Sequence, residues 1–235
     1  AYADYQVQAL DLPGQIRPRL FMSNGSHSSQ IDESQPPKTH RYIQVIRQTL
    51  LDELKFRDKE ILVLGAGGFT LSHQEPHNRY TYVDIDPAIR SIAEEHFLRG
   101  PVQGEFIAED ARHFVSVTER RFDAVVVDVY SNRAAIPSHL VTQEFWQASR
   151  RVLRPDGLLM ANLILDSRLV SPYSRHVLDT IESVYGRCAV EVLQKSFRDA
   201  NVIVTCHAAG QPASRSLYTD ERNSADLEKF GIRAH

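Results

Sequence analysis

Hydrophobic positions along the chain fall into two rhythms. Short, nearly charge-free runs recur at Ile61 to Leu64, Tyr80 to Val83, Phe106 to Ala108, Ala124 to Val127 and Leu158 to Leu163. Runs of that length and composition fit strands buried on both faces. Between them the period changes to that of a helix. Thr39 to Leu54 carries apolar residues at 43, 46, 50 and 54, and Pro87 opens a stripe of Ile89, Ile92, Ala93, His96 and Phe97. That stripe puts His96 on a packed face, as a hydrogen-bonded structural histidine. Further helices are predicted over Thr70 to Glu75, from Asp110 through Phe114 and Val115, and over Thr142 to Leu153. Ser171-Pro172 supplies an N-cap and a first-turn proline for another, which carries Val177, Ile181 and Val184 and stops at Gly186.

At the N-terminus the pattern predicts three short strands, Tyr5 to Leu10, Arg19 to Met22 and Ser26 to Ile31. Asn24-Gly25 joins the last two with the strongest hairpin signal in the chain, since both residues tolerate positive φ. Asp32 to Lys38, with Pro36-Pro37, reads as a solvated loop. Arg154-Pro155-Asp156-Gly157 reads as a turn. Ala189 to Leu193 and Val202 to Cys206 should pair as an antiparallel hairpin, and residues 208 to 224 as loop. The sum is an α/β chain: a doubly wound, mostly parallel seven-stranded sheet over 39–235, with an N-terminal β-hairpin appendage over 1–38. A terminal antiparallel hairpin on such a sheet is the Rossmann-like arrangement of S-adenosylmethionine-dependent methyltransferases.

Composition narrows the possibilities. The chain has 235 residues and is 42% hydrophobic, enough for one sizeable core. Its 27 basic and 30 acidic residues give no polycationic face, which argues against nucleic acid. No apolar run approaches bilayer length, and the two cysteines, Cys188 and Cys206, suit free thiols in a reducing cytoplasm, with a disulfide between them as the minority reading. The chain opens on Ala1 rather than Met, so an upstream membrane domain in a longer parent chain stays open.

The chemistry gathers where strands end. Ile61 to Leu64 stops at Gly65-Ala66-Gly67-Gly68, three glycines within four residues, and Asp84 closes the next strand seventeen residues after Gly67. That is close to the ~20-residue spacing at which an acid meets ribose hydroxyls in nucleotide-binding βαβ units. A dinucleotide fingerprint would need glycine at position 70, which is Thr70. A nucleoside without pyrophosphate fits better, and an S-adenosyl sulfonium compound is the natural candidate. Asp110 and Asp128 end two further strands. Asp84 would accept the ribose hydroxyls and Asp110 the adenine amine, the glycine turn would admit the nucleoside, and Asp128 would face the sulfonium. No metal site is expected, because Pro76 breaks any helical face shared by His73, Glu75 and His77.

With those residues in place, the sequence resembles the spermidine synthase (polyamine aminopropyltransferase) family over most of its length. The matching pieces are Tyr5-Gln6, the Asn24-Gly25 hairpin, Tyr42, Gly65 to Gly68, Asp84-Ile85-Asp86, Asp110, Asp128-Val129-Tyr130-Ser131, Ile136 to Leu140 and Thr142 to Phe145. Gly67-Gly68-Phe69-Thr70 and the Ile136-to-Thr142 segment look most like bacterial spermidine synthase-like proteins, some fused to membrane transporter segments. The resemblance implies a homodimer that uses decarboxylated S-adenosylmethionine, or S-adenosylmethionine itself, with a small-molecule amine as acceptor. It implies Asp128 and Tyr42 as the catalytic pair, adds Gln6, Ile85, Ala66 and Ala111 to the cofactor contacts, and puts Gln44 and Ser131 at the acceptor positions.

Gln44 and Ser131 stand where the family has carboxylates, and no acid lies between Gly65 and Leu71 to hold the aminopropyl ammonium. Each lost charge-assisted bond is worth on the order of 1.5–3 kcal/mol. Two other readings therefore stand beside aminopropyl transfer: a methyltransferase on the same scaffold, and a non-catalytic nucleoside-binding module.

Overall fold

The computed structural model describes residues 3–130, 136–194, 198–211 and 218–229. Close contacts divide the chain into two units, Ala1–Asp110 and Ala111–His235.

The first unit opens with β1 (Tyr5–Ala9), β2 (Arg19–Ser23) and β3 (Ser26–Ile31), an antiparallel three-stranded sheet in sequential order. Asn24 and Gly25 take φ of 47° and 73°, the left-handed pair that the hairpin signal requires. Next comes α1 (Arg41–Arg47), continued by a wider π-type turn over Gln48–Glu53. Ile43, Ile46 and Leu50 are buried as the stripe demands, but Leu54 falls beyond the end and is exposed. β4 (Glu60–Leu64), β5 (Arg79–Asp84) and β6 (Glu105–Ala108) then pair in parallel, β4 to β5 and β5 to β6. Their registers align Leu64 with Val83 and Asp84 with Ala108, so the glycine turn and Asp84 leave the sheet at the same end.

Two helical expectations in this unit fail. Thr70 to Glu75 forms successive turns rather than a helix, with Phe69 and Gln74 at φ near +56° at either side. Residues in that region cannot propagate a right-handed helix. The second concerns α2 (Ile89–Ile92), which widens into a π-type turn over Ala93–Phe97. The extra residue per turn keeps Ala93 and Phe97 fully buried and rotates His96 outward, so His96 is exposed and lies 3.7 Å from Glu95.

Of the two acids in the loop read as solvated, Asp32 is buried, its Oδ1 accepting from the Ser34 amide and hydroxyl and the Lys38 amide, while Glu33 is exposed as read and pairs with Arg19 at 2.5 Å.

The second unit contains α3 (Ala111–Val117), β7 (Phe122–Val127), α4 (Gln143–Arg151), β8 (Leu153–Asp166), α5 (Pro172–Tyr185), β9 (Ala189–Val192), β10 (Asp199–His207) and the short α6 (Ala225–Lys229). β7 and β8 pair in parallel. Their register jumps from Phe122–Leu153 to Ala124–Leu158, so the turn predicted over Arg154 to Gly157 is instead an unpaired bulge within one long strand. Ser171 caps α5 by accepting from the Ser174 amide at 3.1 Å, and Gly186 ends it at φ 79°. β10 runs antiparallel to both β8 and β9. The seven long-sheet strands take the order β6-β5-β4-β7-β8-β10-β9.

The cysteines are joined, which overturns the reading as free thiols. Register explains it: Thr205 faces Ala189, so the next pair outward is Cys206 and Cys188, with Cα atoms 4.6 Å apart. Among the described residues no helix is long and apolar enough to cross a membrane.

Candidate functional site

In the first unit the site is assembled around the end of β4. Gly65 bends away at φ 88° and Gly67 at 47°, while the Gly65 amide still donates to the Val83 carbonyl. The turn then exposes its next amide to Asp84. Asp84 Oδ2 accepts from Ala66 N–H at 2.9 Å, and Oδ1 accepts from Asp86 N–H at 3.0 Å. One carboxylate thus ties the glycine turn to its own strand end. Burial raises the Asp84 carboxyl above the ordinary range; the amide bonds from Ala66 and Asp86 pull it down, and the neighbouring Asp86 charge adds to the rise. Ile85 beside it is exposed.

The N-terminal sheet braces this turn. Ser29 on β3 accepts from Gly68 N–H at 2.9 Å. A Cβ on Gly67 would sit 2.9 Å from that same hydroxyl, and one on Gly68 would collide with Phe97 Cε1 at 2.3 Å. The glycines are therefore required by what presses on the loop as well as by what it could bind. Tyr42 is buried on α1 and donates to the Ser28 carbonyl at 3.3 Å, its ring stacked with His40 at 5.8 Å. Burial, reinforced by His27, lowers His40 to about 4, so that imidazole is neutral at physiological pH.

The other predicted positions in this unit fall as follows. Gln44 donates through Nε2 to the Thr39 carbonyl at 2.8 Å. Gln6 is exposed and its side chain donates to Asp4 at 3.4 Å. Its neighbour Tyr5 points the other way, hydrogen-bonded to the buried Asp86; burial and the charges of Asp84 and Asp86 push the Tyr5 phenol well above its ordinary range. Asp110 follows β6, half-buried.

In the second unit Ala111 is buried at the start of α3, and Asp128 stands just past the end of β7, half-buried. Asn162 Nδ2 donates to Asp128 Oδ1 at 2.9 Å, and the Asn162 carbonyl accepts from the Tyr130 hydroxyl at 2.7 Å. Asn162 is fully buried in the middle of β8, and its Oδ1 finds no partner among the described residues. Ser131 lies outside the described residues.

Sequence reading missed Ser29 and Asn162, and named Tyr5 beside Gln6 without giving it a role. A lone amide within the aliphatic run Leu158 to Leu163 was the signal for Asn162, because an unpaired buried amide costs free energy unless it has a task. The paired serines on β3 carried no comparable signal.

Comparison with known proteins agrees with the architecture. A family model described as methyltransferase domain matches residues 62–161. A polyamine aminopropyltransferase of Vibrio vulnificus is 30% identical over 177 residues, covering 71% of this chain and 57% of that protein. This chain therefore spans little more than half the length of that relative. The probable spermidine synthase of Corynebacterium glutamicum superposes with a TM-score of 0.72 at 23% identity, over 88% of this chain and 77% of that one. A spermidine synthase solved with the transition-state analogue AdoDATO superposes at 0.66 and 14% identity, over 100% of this chain and 85% of that one. In sequence the chain resembles the polyamine aminopropyltransferases, and it has their fold.

Proposed function

We propose that this chain is a spermidine synthase-like transferase that moves an aminopropyl group from decarboxylated S-adenosylmethionine to an amine. The observation that carries the reading is Asp84, an ionisable acceptor held at a strand end by amides of the glycine turn and of Asp86. In this reading it takes the ribose hydroxyls, Asp110 takes the adenine amine, and Ile85 and Ala111 contact the base. Asp128 and Tyr42 draw a proton from the acceptor, since only a neutral amine has a lone pair to attack the carbon next to sulfur. The new C–N bond forms as the C–S bond breaks, the sulfur keeps the bonding pair, and methylthioadenosine leaves. The bond from Asn162 supports Asp128 by fixing the orientation of its carboxylate. Gln44 and Ser131 line the acceptor side in place of carboxylates.

A second reading, methyl transfer from S-adenosylmethionine, is favoured by one feature. Nothing acidic between Gly65 and Leu71 would repel the methionine carboxylate.

The test is a mass-spectrometric product screen of amines against both sulfonium donors, followed by rates for Asp128→Asn on whichever pair reacts. We expect aminopropylated product and a loss of roughly 10²–10⁴-fold in the variant, as for removal of a general base. Methylated product moves the assignment to the second reading. Activity kept within a few-fold in Asp128→Asn removes that residue as the base. Tight nucleoside binding without turnover on any pair leaves a binding module.

A further inference from the structure

Away from the glycine turn, the first unit carries a groove of about 440 Å³ that the proposed reaction does not use. It is lined on one side by Tyr5, Val7 and Ala9, alternate residues of β1, and on the other by Ile92, Glu95, His96 and Arg99 from α2 and the turn that follows it. Arg19 also lines it. The volume is within the range of small-ligand sites, and the lining has two characters, apolar along Val7, Ala9, Ile92 and the Tyr5 ring and charged at Arg19, Arg99 and Glu95, with His96 beside Glu95.

Arg19 is the telling residue. Its side chain is only 6% exposed, and a guanidinium so withdrawn from water needs firm partners. It donates through Nε to the Phe97 carbonyl at 2.7 Å and through Nη1 to Glu33 at 2.5 Å. Those bonds fix the group and leave the Nη2 donors without a partner among the described residues. The same Glu33 also serves Arg17 at 3.4 Å and Arg99 at 3.9 Å, so one carboxylate is shared by three guanidiniums. Tying β2 to the turn accounts for the Phe97 bond. It does not account for the two guanidiniums, the withdrawn Arg19 and the largely exposed Arg99, that line the groove and share Glu33 between them.

We propose that this groove binds a small amphipathic anion, a carboxylate or phosphate ester with an aromatic or short alkyl body. The anionic group pairs with the fixed Arg19 fork and with Arg99, and the body lies along Val7, Ala9 and Ile92.

Phenyl phosphate is the probe, with benzoate to separate phosphate from carboxylate recognition, and inorganic phosphate and phenol as its two halves. Binding is read by calorimetry and by the ring ¹H–¹⁵N signals of His96, in the presence of saturating methylthioadenosine so that the nucleoside site is filled. We expect one salt-sensitive site that shifts His96, tighter for phenyl phosphate or benzoate than for either half-probe. Arg99→Glu, an exposed position, should weaken it about tenfold or more while leaving methylthioadenosine affinity unchanged. Arg19→Lys should also weaken it, because a point charge does not reproduce the fork. If Arg19→Lys fails to fold, Arg99→Glu and the His96 signals still decide. Absence of binding at about 10 mM, binding that leaves His96 unmoved, or equal affinity in Arg99→Glu overturns the proposal.

Discussion

Asp84 stands between two demands. Its burial opposes ionisation, yet the two amides it accepts from and the ribose hydroxyls proposed for it all need an ionised or at least lone-pair-bearing oxygen. A pH dependence follows, and its sign is fixed. Because the folded carboxyl titrates above the ordinary aspartate range, protonation sets in at a higher pH than for an exposed aspartate. Nucleoside affinity should therefore fall as the medium is acidified through that raised value. Asp84→Ala should bind weakly at every pH, having lost bonds worth roughly 1.5–3 kcal/mol each, with no comparable pH step. Calorimetric titration of methylthioadenosine from pH 7 downward checks both. A step that persists in Asp84→Ala would belong to another group, and unchanged affinity in the folded variant would remove Asp84 from the site. Its place was legible in the sequence, as a carboxylate that ends an aliphatic strand seventeen residues after Gly67 and meets the glycine turn there. Its helper Tyr5 was not: a tyrosine in a polar N-terminal strand gives no hint that it hydrogen-bonds Asp86.

At the scale of elements, the glycine turn and the β2–β3 hairpin act as one structure. Gly68 donates to Ser29, and its missing side chain makes room for Phe97, which is fully buried and cannot swing aside. Gly68→Ala should therefore destabilise the protein by about 1–3 kcal/mol, the usual cost of forcing an atom into a packed interior. Trimming the obstruction with Phe97→Leu should recover part of that loss in the double variant relative to the sum of the single ones, a coupling that urea denaturation of all three proteins can measure. Strictly additive losses would mean that Phe97 is not what the new methyl group meets. Elements of this kind show where sequence patterns stop. Strand-length aliphatic runs, the Asn24-Gly25 turn and the Ser171-Pro172 helix start are local signals and appear where they were read. The widened turn over Ala93–Phe97 comes from packing of Phe97 against Phe21, with rings 5.4 Å apart, and it carries His96 out of the stripe that the helical period assigns to it. No period fitted to residues 89–97 alone contains that contact.

For the molecule as a whole, the crosslink between Cys188 and Cys206 changes the stability argument most. The two residues are 18 positions apart in sequence, and closing a loop of that size removes unfolded-state entropy worth about 3 kcal/mol, a sizeable part of the 5–15 kcal/mol by which domains are usually stable. Pairing of β9 with β10 was readable from their alternation, and counting outward along that hairpin brings the two cysteines face to face. Composition pointed the other way, because two cysteines in a chain of ordinary charge and core size suit a reducing compartment. Geometry wins over that prior. The protein purified without reductant should show no titratable thiol after unfolding in guanidinium, and two after unfolding with subsequent reduction and removal of the reductant. Replacing both with Cys188→Ala and Cys206→Ala should lower the free energy of unfolding by about 2–4 kcal/mol, seen as a lower urea midpoint, with a slope that rises as the unfolded chain loses its crosslink. Dithiothreitol should lower the wild-type midpoint in the same direction and leave the double variant where it was. Two free thiols in the unreduced, unfolded protein, or a wild-type midpoint insensitive to dithiothreitol, would restore the reading of Cys188 and Cys206 as separate thiols.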